Sequence, residues 1–336
     1  MSVDVRALEE SSDAAERWDR LVERSPQVTV FHRHGFLRAL ERHGGGTLHA
    51  LVGSKGETPI GVFPVFELQK GPVTTAVSPP PGLGVPHLGP ALLPGGRKQR
   101  KRERLDARFV EACLDWVDTT VDPSFVHGVT SADYGDARAF QWNDFDVTPR
   151  YTYELDLSGG VEAVRERLSR DARTSIEGDY PDCEVERVES DDALDYVVER
   201  VNARYDANDG GLHLSPDYVR DVFDALGEHA RAHVVRVDGE RVSGRLQFRD
   251  GDTLRFWQGS PKPERDVEAP VNDLLNWTVI RDAADDGLEI ADLTGANTRR
   301  VARYKAKYNP TPATYCELER GGTAMRVASD LYRKFR

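Results

Sequence analysis

The chain has 336 residues, more than one ordinary core organises, so length alone points to two domains of roughly 150 residues each. A hydrophobic content of 39% excludes intrinsic disorder, and the absence of any apolar run near the roughly 18 residues that span a bilayer excludes an integral membrane helix. The formal charge of -12, carried with 8 lysines against 37 arginines, excludes stable non-specific nucleic-acid binding and suits a protein kept soluble in a salt-rich cytoplasm, a plain acidic mesophilic protein being the alternative.

In chain order, MSVDVRALEESSD has none of the charged-then-apolar layout of a secretory signal, and a cytoplasmic location is expected. Residues 12–24 (SDAAERWDRLVER) and 32–43 (HRHGFLRALERH) repeat apolar positions at helical spacing. LHALVGSKGETPIGVFPVFELQKGPVTTAV reads as three strands joined by tight turns, an antiparallel meander. SPPPGLGVPHLGPALLPGG is a rigid, turn-rich loop, and the basic run RKQRKRER leads into a helix near 101–119. SFVHGV (124–129) and YTYELDL (151–157) read as strands on either side of GDARAFQWNDF.

A similar order then begins again. Residues 160–176 are helical and 183–189 form a strand, followed by helices in DALDYVVERVNARYDAN and SPDYVRDVFDALGEHA. The second of these opens with Ser215 as N-cap and Pro216 at the first helical position. AHVVRVDGERVSGRLQFRDGDTLRFWQGS (232–260) is a second meander with two Asp-Gly turns. Residues 269–287 form a helix closed by Gly287, LEIADLTG a strand, TRRVARYKAKY a short helix and TPATYCELER a strand, and AMRVASDLYRKF is a closing amphipathic helix. Agreement in element order and turn placement between the two halves implies a duplicated unit; repeats of this length are domains, not solenoid turns. The expected domains are 1–150 and 151–336.

The order of a three-stranded meander, then helix, strand, helix, strand, resembles the GNAT acyltransferase fold, and two such units resemble the Fem-type aminoacyltransferases and their acetyltransferase-like relatives. The resemblance extends to local text. FWQGSPKPERDVEAPVNDLLNWTVIRDAADDGLEIADLTG is similar to that family's strand, loop, helix and strand around its cleft. RYKAKYNP is similar to its Phe-Lys-x-x-Phe element, with Tyr304, Lys305 and Tyr308 in those places, and VTVFHRHGFLRALERH is similar to its N-terminal opening. The resemblance implies an α/β (α+β) protein of two tandem GNAT-like domains, each a mixed, mostly antiparallel sheet flanked by helices. The active cleft would lie in the second. It further implies transfer of an acyl or aminoacyl group from acyl-CoA or aminoacyl-tRNA to an amine of a cell-envelope, polysaccharide or related small-molecule precursor. The partners implied are a small-molecule or glycan-precursor acceptor and a charged tRNA. An acyl-CoA-dependent N-acetyltransferase of small amines and a non-catalytic ligand-binding protein are the alternatives.

The chain departs from the family where CoA users carry a Gly-rich loop whose N–H groups hold pyrophosphate. Here SPKPERDVEAPVN has no glycine and three prolines, which argues against ordinary acetyl-CoA binding. Acyl transfer needs alignment, a proton acceptor and oxyanion donors, but no nucleophile, and the chain has no GxSxG elbow and no Cys–His pair. The family element assigns Lys305 to a carbonyl oxygen or donor phosphate, with Tyr304 and Asp273 as further catalytic candidates. Arg299, Arg300 and Arg303 are candidate phosphate grips or solvated residues. Asn297, Trp257, Gln258, Asn272 and Tyr205 are further substrate-binding candidates: Asn297 could instead cap a helix, Trp257 and Gln258 end the third meander strand, Asn272 opens the next helix, and Tyr205, with Asn208, ends a helix before a Gly-Gly loop. Cys113, Cys183 and Cys316 are dispersed, and His32 and His34 do not share a helical face, so no metal is expected.

Overall fold

The computed structural model describes residues 2–95, 98–207, 211–259 and 261–322. The expected closing helix at 324–335 and the candidate Asn208 lie outside the described residues. Two compact units are present: Met1–Arg150 with Thr314–Arg336, and Tyr151–Ala313. This corrects the expected second domain of 151–336, because from Thr314 onward the described chain returns to the first unit.

The first unit begins with β1 (Asp4–Ala7), α1 (Ala14–Val22) and α2 (His34–Gly44). The meander follows as β2 (Thr47–Lys55), β3 (Thr58–Lys70) and β4 (Val73–Ser78), with a two-residue β5 (Ala91–Leu92) lying on β3. After these come α3 (Gln99–Thr120), β6 (Phe125–Val129), α4 (Arg138–Gln141) and the start of β7 (Asp146–Asp156). Its strands are ordered β1-β2-β3-β4-β6, antiparallel except for the β4/β6 pair, which is parallel. Helix α3 buries Phe109, Val110, Cys113, Leu114 and Val117, the i, i+1, i+4, i+5, i+8 stripe of a helix laid on a sheet. Each large apolar side chain there contributes about 1.5–3 kcal/mol. The Phe109 ring rests directly on the strands: a Cβ on Gly53 would stand 2.4 Å from Phe109 Cδ2, so only glycine fits that position of β2.

The second unit repeats the plan. Helices α5 (Gly160–Arg167) and α6 (Arg170–Glu177) precede β8 (Cys183–Val188), α7 (Asp191–Asp206) and α8 (Pro216–Leu226). The meander is β9 (Ala230–Val237), β10 (Glu240–Asp250) and β11 (Thr253–Gly259), and α9 (Val271–Asp285), β12 (Ile290–Asp292), α10 (Arg299–Lys305) and β13 (Thr311–Gly321) complete the order. The strands run β8-β9-β10-β11-β12, again antiparallel except for the parallel β11/β12 pair. Helix α9 buries Leu275, Val279, Ile280 and Ala283 against a core that includes Leu155, Leu254 and Phe256.

Each sheet is completed by the last strand of the other repeat. Strand β7 pairs antiparallel with β12 through Leu155 and Ala291, and β13 pairs antiparallel with β6 through Leu318 and Gly128. Glu317 fastens β13 in the first unit, accepting from His127 Nε2 at 3.1 Å and Arg150 Nε at 2.8 Å. Burial pushes its carboxyl upward, but these two donors hold it down at about 2.

Two expectations about elements are corrected. The helix expected over 160–176 is broken at Leu168 and Ser169, because the Ser169 hydroxyl accepts from Ala172 N–H at 3.2 Å and caps a new helix. Strand β1 was not expected: four residues of mixed exposure, flanked by acidic text, carry no alternation strong enough to read.

Candidate functional site

The two units differ at their parallel strand pair. In the second unit β11 and β12 pair only over Thr253–Arg255 and Ile290–Asp292. Strand β11 then continues to Gly259 without β12 beside it. The strands therefore part at their carboxyl ends, the position where parallel strands leave a crevice. A β-bulge at Trp257 lies on the same stretch: Gln258 pairs with Leu246 and Phe256 with Gln247, leaving Trp257 as the extra residue. Gly259 ends the strand at φ +141, where a Cβ would stand 2.5 Å from Arg245 Cα.

In the first unit the corresponding opening is filled. Pairing of β4 with β6 runs through Ser78 and Gly128, and Leu88 then bridges to Thr130, with Leu88 N–H donating to Val129 O at 2.8 Å. Gly89 N–H donates to Ser78 Oγ at 3.0 Å. His32 Nε2 contacts Gly89 O at 3.2 Å, while its Nδ1 accepts from Thr29 N–H at 3.1 Å, so the proton is assigned to Nε2. The Gly- and Pro-rich loop of the sequence is thus a plug, and His32 is one of its fastenings.

In the second unit Thr294 and Lys305 shape the β12 end of the split. Thr294 has φ +50, a left-handed conformation costly for a β-branched residue, and Gly295 follows at φ +79. Three bonds hold that conformation. Thr294 N–H donates to Asp292 Oδ1 at 2.9 Å, Thr294 Oγ1 donates to Phe256 O across the split, and Lys305 Nζ donates to Thr294 O. The ammonium also donates to Gly295 O at 2.9 Å. Asp292 is fixed in turn by Thr152 Oγ1 at 2.6 Å and Arg255 Nη1 at 3.0 Å. Burial, reinforced by the Arg245 charge, lowers the Lys305 ammonium to about 7. The family element assigned this ammonium to a carbonyl oxygen or phosphate of the donor; in the structure it meets two main-chain carbonyls and clamps the loop.

A second cluster lies beside the split. Arg245 on β10 is buried, sits 3.9 Å over the Phe256 ring and donates to Asn276 Oδ1 at 2.8 Å. Burial lowers its guanidinium to about 10. Asn276 Nδ2 donates to Tyr304 OH at 3.0 Å and Tyr308 OH at 3.2 Å. Tyr304 OH donates to Asp273 Oδ1 at 2.9 Å, and Lys307 pairs with the same oxygen while lying 4.1 Å from the Tyr304 ring centroid. Burial, with the neighbouring Tyr308 and Asp273, raises the Tyr304 phenol and keeps it neutral. Among the described residues the partners of Asp273 all meet Oδ1. Asp273, Asn272, Tyr304 and Lys307 line a pocket of about 250 Å³.

The structure therefore brings Tyr304 and Asp273 together, while Lys305 meets the Thr294 and Gly295 carbonyls. Asn272 joins Tyr304 and Asp273 in the pocket wall and accepts from Ser243 Oγ at 3.3 Å. Gln258 is buried and accepts from Tyr205 OH at 3.2 Å. Trp257 is core, packed on Phe248 and Tyr218 at centroid distances of 5.0 and 6.0 Å. Asn297 is not a helix cap: its Oδ1 accepts from Tyr151 N–H at 2.8 Å, and Thr298 caps α10. Arg299, Arg300 and Arg303 are exposed, and none takes an ion-pair partner among the described residues. Sequence reasoning missed Arg245, Asn276, Thr294 and Lys307 as site residues. The signal for Arg245 was hidden because both faces of β10 are buried over residues 242–248. Asn276 lay in plain view inside the Leu-Leu-Asn-Trp run.

One three-ligand group among the described residues, His127, Glu317 and Glu319, has its side-chain ligand atoms within 4.8 Å of one another. Arg150 already occupies Glu317 there. No helix among the described residues is long and apolar enough to cross a membrane.

Residues 163–306 match the family described as acetyltransferase (GNAT) domain. No curated protein matches the chain. Among solved structures the chain is similar to FemX, with a TM-score of 0.68 and 11% identity, covering 94% of this chain and 97% of that one. It is also similar to L-PGS from Bacillus licheniformis (TM-score 0.57, 12% identity, 98% of each chain). A tandem GNAT protein from the clavulanic acid biosynthesis pathway is comparable, with a TM-score of 0.55, 12% identity and coverage of 95% of this chain and 98% of that one. The chain accordingly shares the fold of these structures, a tandem GNAT protein among them.

Proposed function

With a GNAT acetyltransferase domain at residues 163–306, we propose that this chain is an N-acyltransferase that moves an acyl or aminoacyl group to an amine in the cleft of its second unit. The observation that carries this reading is the asymmetry of the two parallel strand pairs: β11 and β12 part after three residue pairs, whereas the first unit's opening is closed by Leu88 and Gly89. A protein that had kept the fold only as a scaffold would have no reason to leave one opening clear and hold its rim with a strained threonine.

In this reading the donor carbonyl enters the split beside Phe256 and Trp257. Lys305 acts as a positioning residue, holding Thr294 and Gly295 in the conformation that shapes the rim. The acceptor enters the pocket of about 250 Å³, where Asp273 Oδ2 takes one proton from its ammonium; the free amine then attacks the donor carbonyl, the bond from that carbonyl to its leaving group breaks, and the second proton shed by nitrogen passes to the departing group. Tyr304, held neutral, keeps Asp273 aimed and supplies no charge of its own.

The donor is argued from the helix that follows β11. In an ordinary CoA user that helix N-terminus meets pyrophosphate through bare N–H groups. Here α9 is preceded by Pro270 and carries Asp273 in its first turn, so a pyrophosphate would approach a carboxylate. This favours an aminoacyl ester such as charged tRNA over acyl-CoA, with an amine of an envelope or polysaccharide precursor as acceptor. The test is a mass-spectrometric screen of acyl-CoAs and charged tRNAs against small amines and cell extract. Transfer from a charged tRNA supports the full reading, and transfer from acyl-CoA overturns the donor assignment alone. Donor and amine both bound without transfer would overturn the enzyme reading.

A further inference from the structure

Outside the cleft, the group that the fold leaves least balanced is Asp106 in the first unit. It lies in the middle of α3 and is only 7% exposed, yet it lines a cavity of about 270 Å³. Its Oδ1 accepts from Tyr134 OH at 2.7 Å. That is a neutral donor, and no cation pairs with Asp106 among the described residues. A buried carboxylate with a single neutral partner is among the costlier arrangements a fold can keep.

The charged side chains around it already have hydrogen-bond partners other than Asp106. Arg138 on α4 donates to Glu103 Oε1 at 2.7 Å and to Asp136 Oδ2 at 2.6 Å, so one guanidinium serves both carboxylates at the mouth. Arg102 on α3 donates to Gln99 Oε1 at 2.6 Å. The remaining wall is mostly apolar and includes Leu92, Leu93 and Leu105; its one further polar side chain, Gln27, accepts from Leu92 N–H at 2.8 Å. The volume is slightly below the roughly 300 Å³ at which ligand pockets begin, so the occupant is small. One available carboxylate oxygen does not make a metal site, since hard cations gather six or more oxygens. The combination of one buried anionic oxygen and an apolar wall matches a charged head on a short hydrocarbon body.

We propose that this first-unit cavity binds a small organic cation, an alkylammonium or alkylguanidinium, with its charged head on Asp106 Oδ2 and its chain against Leu92, Leu93 and Leu105. The site is separate from the transfer cleft and does not depend on the transfer reading. Burial, with the Asp136 charge adding to it, raises the Asp106 carboxyl to about 6 and Arg138 opposes it. The site is therefore charged at pH 8 and mostly neutral at pH 5. The buried Tyr134 and Cys113 behind it, both pushed upward by burial, stay neutral across that range.

The experiment is calorimetric titration of the full chain with n-butylammonium and n-propylguanidinium, and with 1-butanol as the uncharged control. Saturable binding of the cations at pH 8, no binding of butanol, and at least tenfold weaker binding at pH 5 and in Asp106→Asn are expected. Gly95→Leu provides a second variant that leaves Asp106 and Tyr134 untouched. A Cβ at Gly95 meets Leu105 Cδ2 at 3.4 Å, an ordinary contact, so the longer side chain can fill the cavity. This variant is expected to melt like the parent and to lose cation binding. The proposal is overturned if wild type shows no saturable cation binding, if butanol binds equally, or if binding survives both substitutions.

Discussion

Lys305→Met tests whether the clamp at the cleft is a buried, weakly charged ammonium. In the folded chain burial and Arg245 lower the group from 10.5 to about 7, while the carbonyls of Thr294 and Gly295 favour the charged form. The sign follows from proton counting. Between pH 7 and pH 10.5 the unfolded chain binds a proton at this position that the folded chain has released, so wild-type stability rises with pH through that window. At about 1.4 kcal/mol per pH unit, the penalty of burying the ammonium is about 4 kcal/mol near pH 7 and falls to about 1 kcal/mol by pH 10. Methionine has no such term. The cost of Lys305→Met, measured by guanidinium denaturation, should therefore increase by about 3 kcal/mol between pH 7 and pH 10. This difference cancels whatever methionine does to packing, because packing does not titrate. A cost that is identical at both pH values would show that the two carbonyls hold the ammonium fully charged, and the reasoning would be refuted. Transfer should be lost in the variant at every pH, since Thr294 and Gly295 lose the bonds that keep them at positive φ.

Two further substitutions separate the buried cluster from the surface. Asp273→Asn leaves Lys307 half-buried without its carboxylate and should cost about 3 kcal/mol in denaturant unfolding. Adding Lys307→Met should restore most of that stability without restoring transfer, and recovery of both would remove Asp273 from the site. Replacing Arg299, Arg300 and Arg303 together with alanine should change stability by less than about 1 kcal/mol, as these residues are exposed. If they attract an anionic donor, kcat/KM should fall and lose its dependence on salt, while a small uncharged donor would react unchanged.

The fold was legible because its signals are repeated and local. Two meanders with Gly turns, each followed by helix, strand, short helix and strand, give the order of the strands in both units, although β7 begins five residues before the expected 151 and β12 is confined to Ile290–Asp292. The site was legible only in part. Lys305 stands out in a chain with 8 lysines, and the Asp-x-x-Gly run marks the strand end where Thr294 turns. What the sequence could not show is which way the side chains face. The five cations between Arg299 and Lys307 read as one patch, but a short helix splits them: Lys305 and Lys307 turn inward to carbonyls and a carboxylate, and the three arginines stay in solvent. Arg245 was invisible for a related reason, because alternation predicts one solvated face and β10 has none over its centre. The strand exchange was equally hidden, since pairing partners distant in sequence leave no local trace.

That exchange has a consequence for dissecting the protein. A fragment of residues 1–150 contains β1 to β6 whole, yet β6 loses the partner that pairs with it from Glu317 to Gly321. It also loses Leu318, buried to 1% exposure, and the Glu317 carboxylate that gathers His127 and Arg150. The apolar term alone is about 2 kcal/mol, and the broken ion pair adds about 1–3 kcal/mol of unsatisfied partners. Together these approach half of the roughly 5–15 kcal/mol that holds a domain folded, and they leave an open β6 edge able to recruit a second chain. The fragment should therefore be aggregated or partly unfolded in amide NMR spectra, whereas a circularly permuted first unit that carries residues 311–322 ahead of residue 2 should give a dispersed spectrum. A fragment 1–150 that is monomeric and unfolds cooperatively, as stably as the permuted unit, would mean that the exchanged strand adds nothing to the first unit, and the account of how each unit is completed would fail.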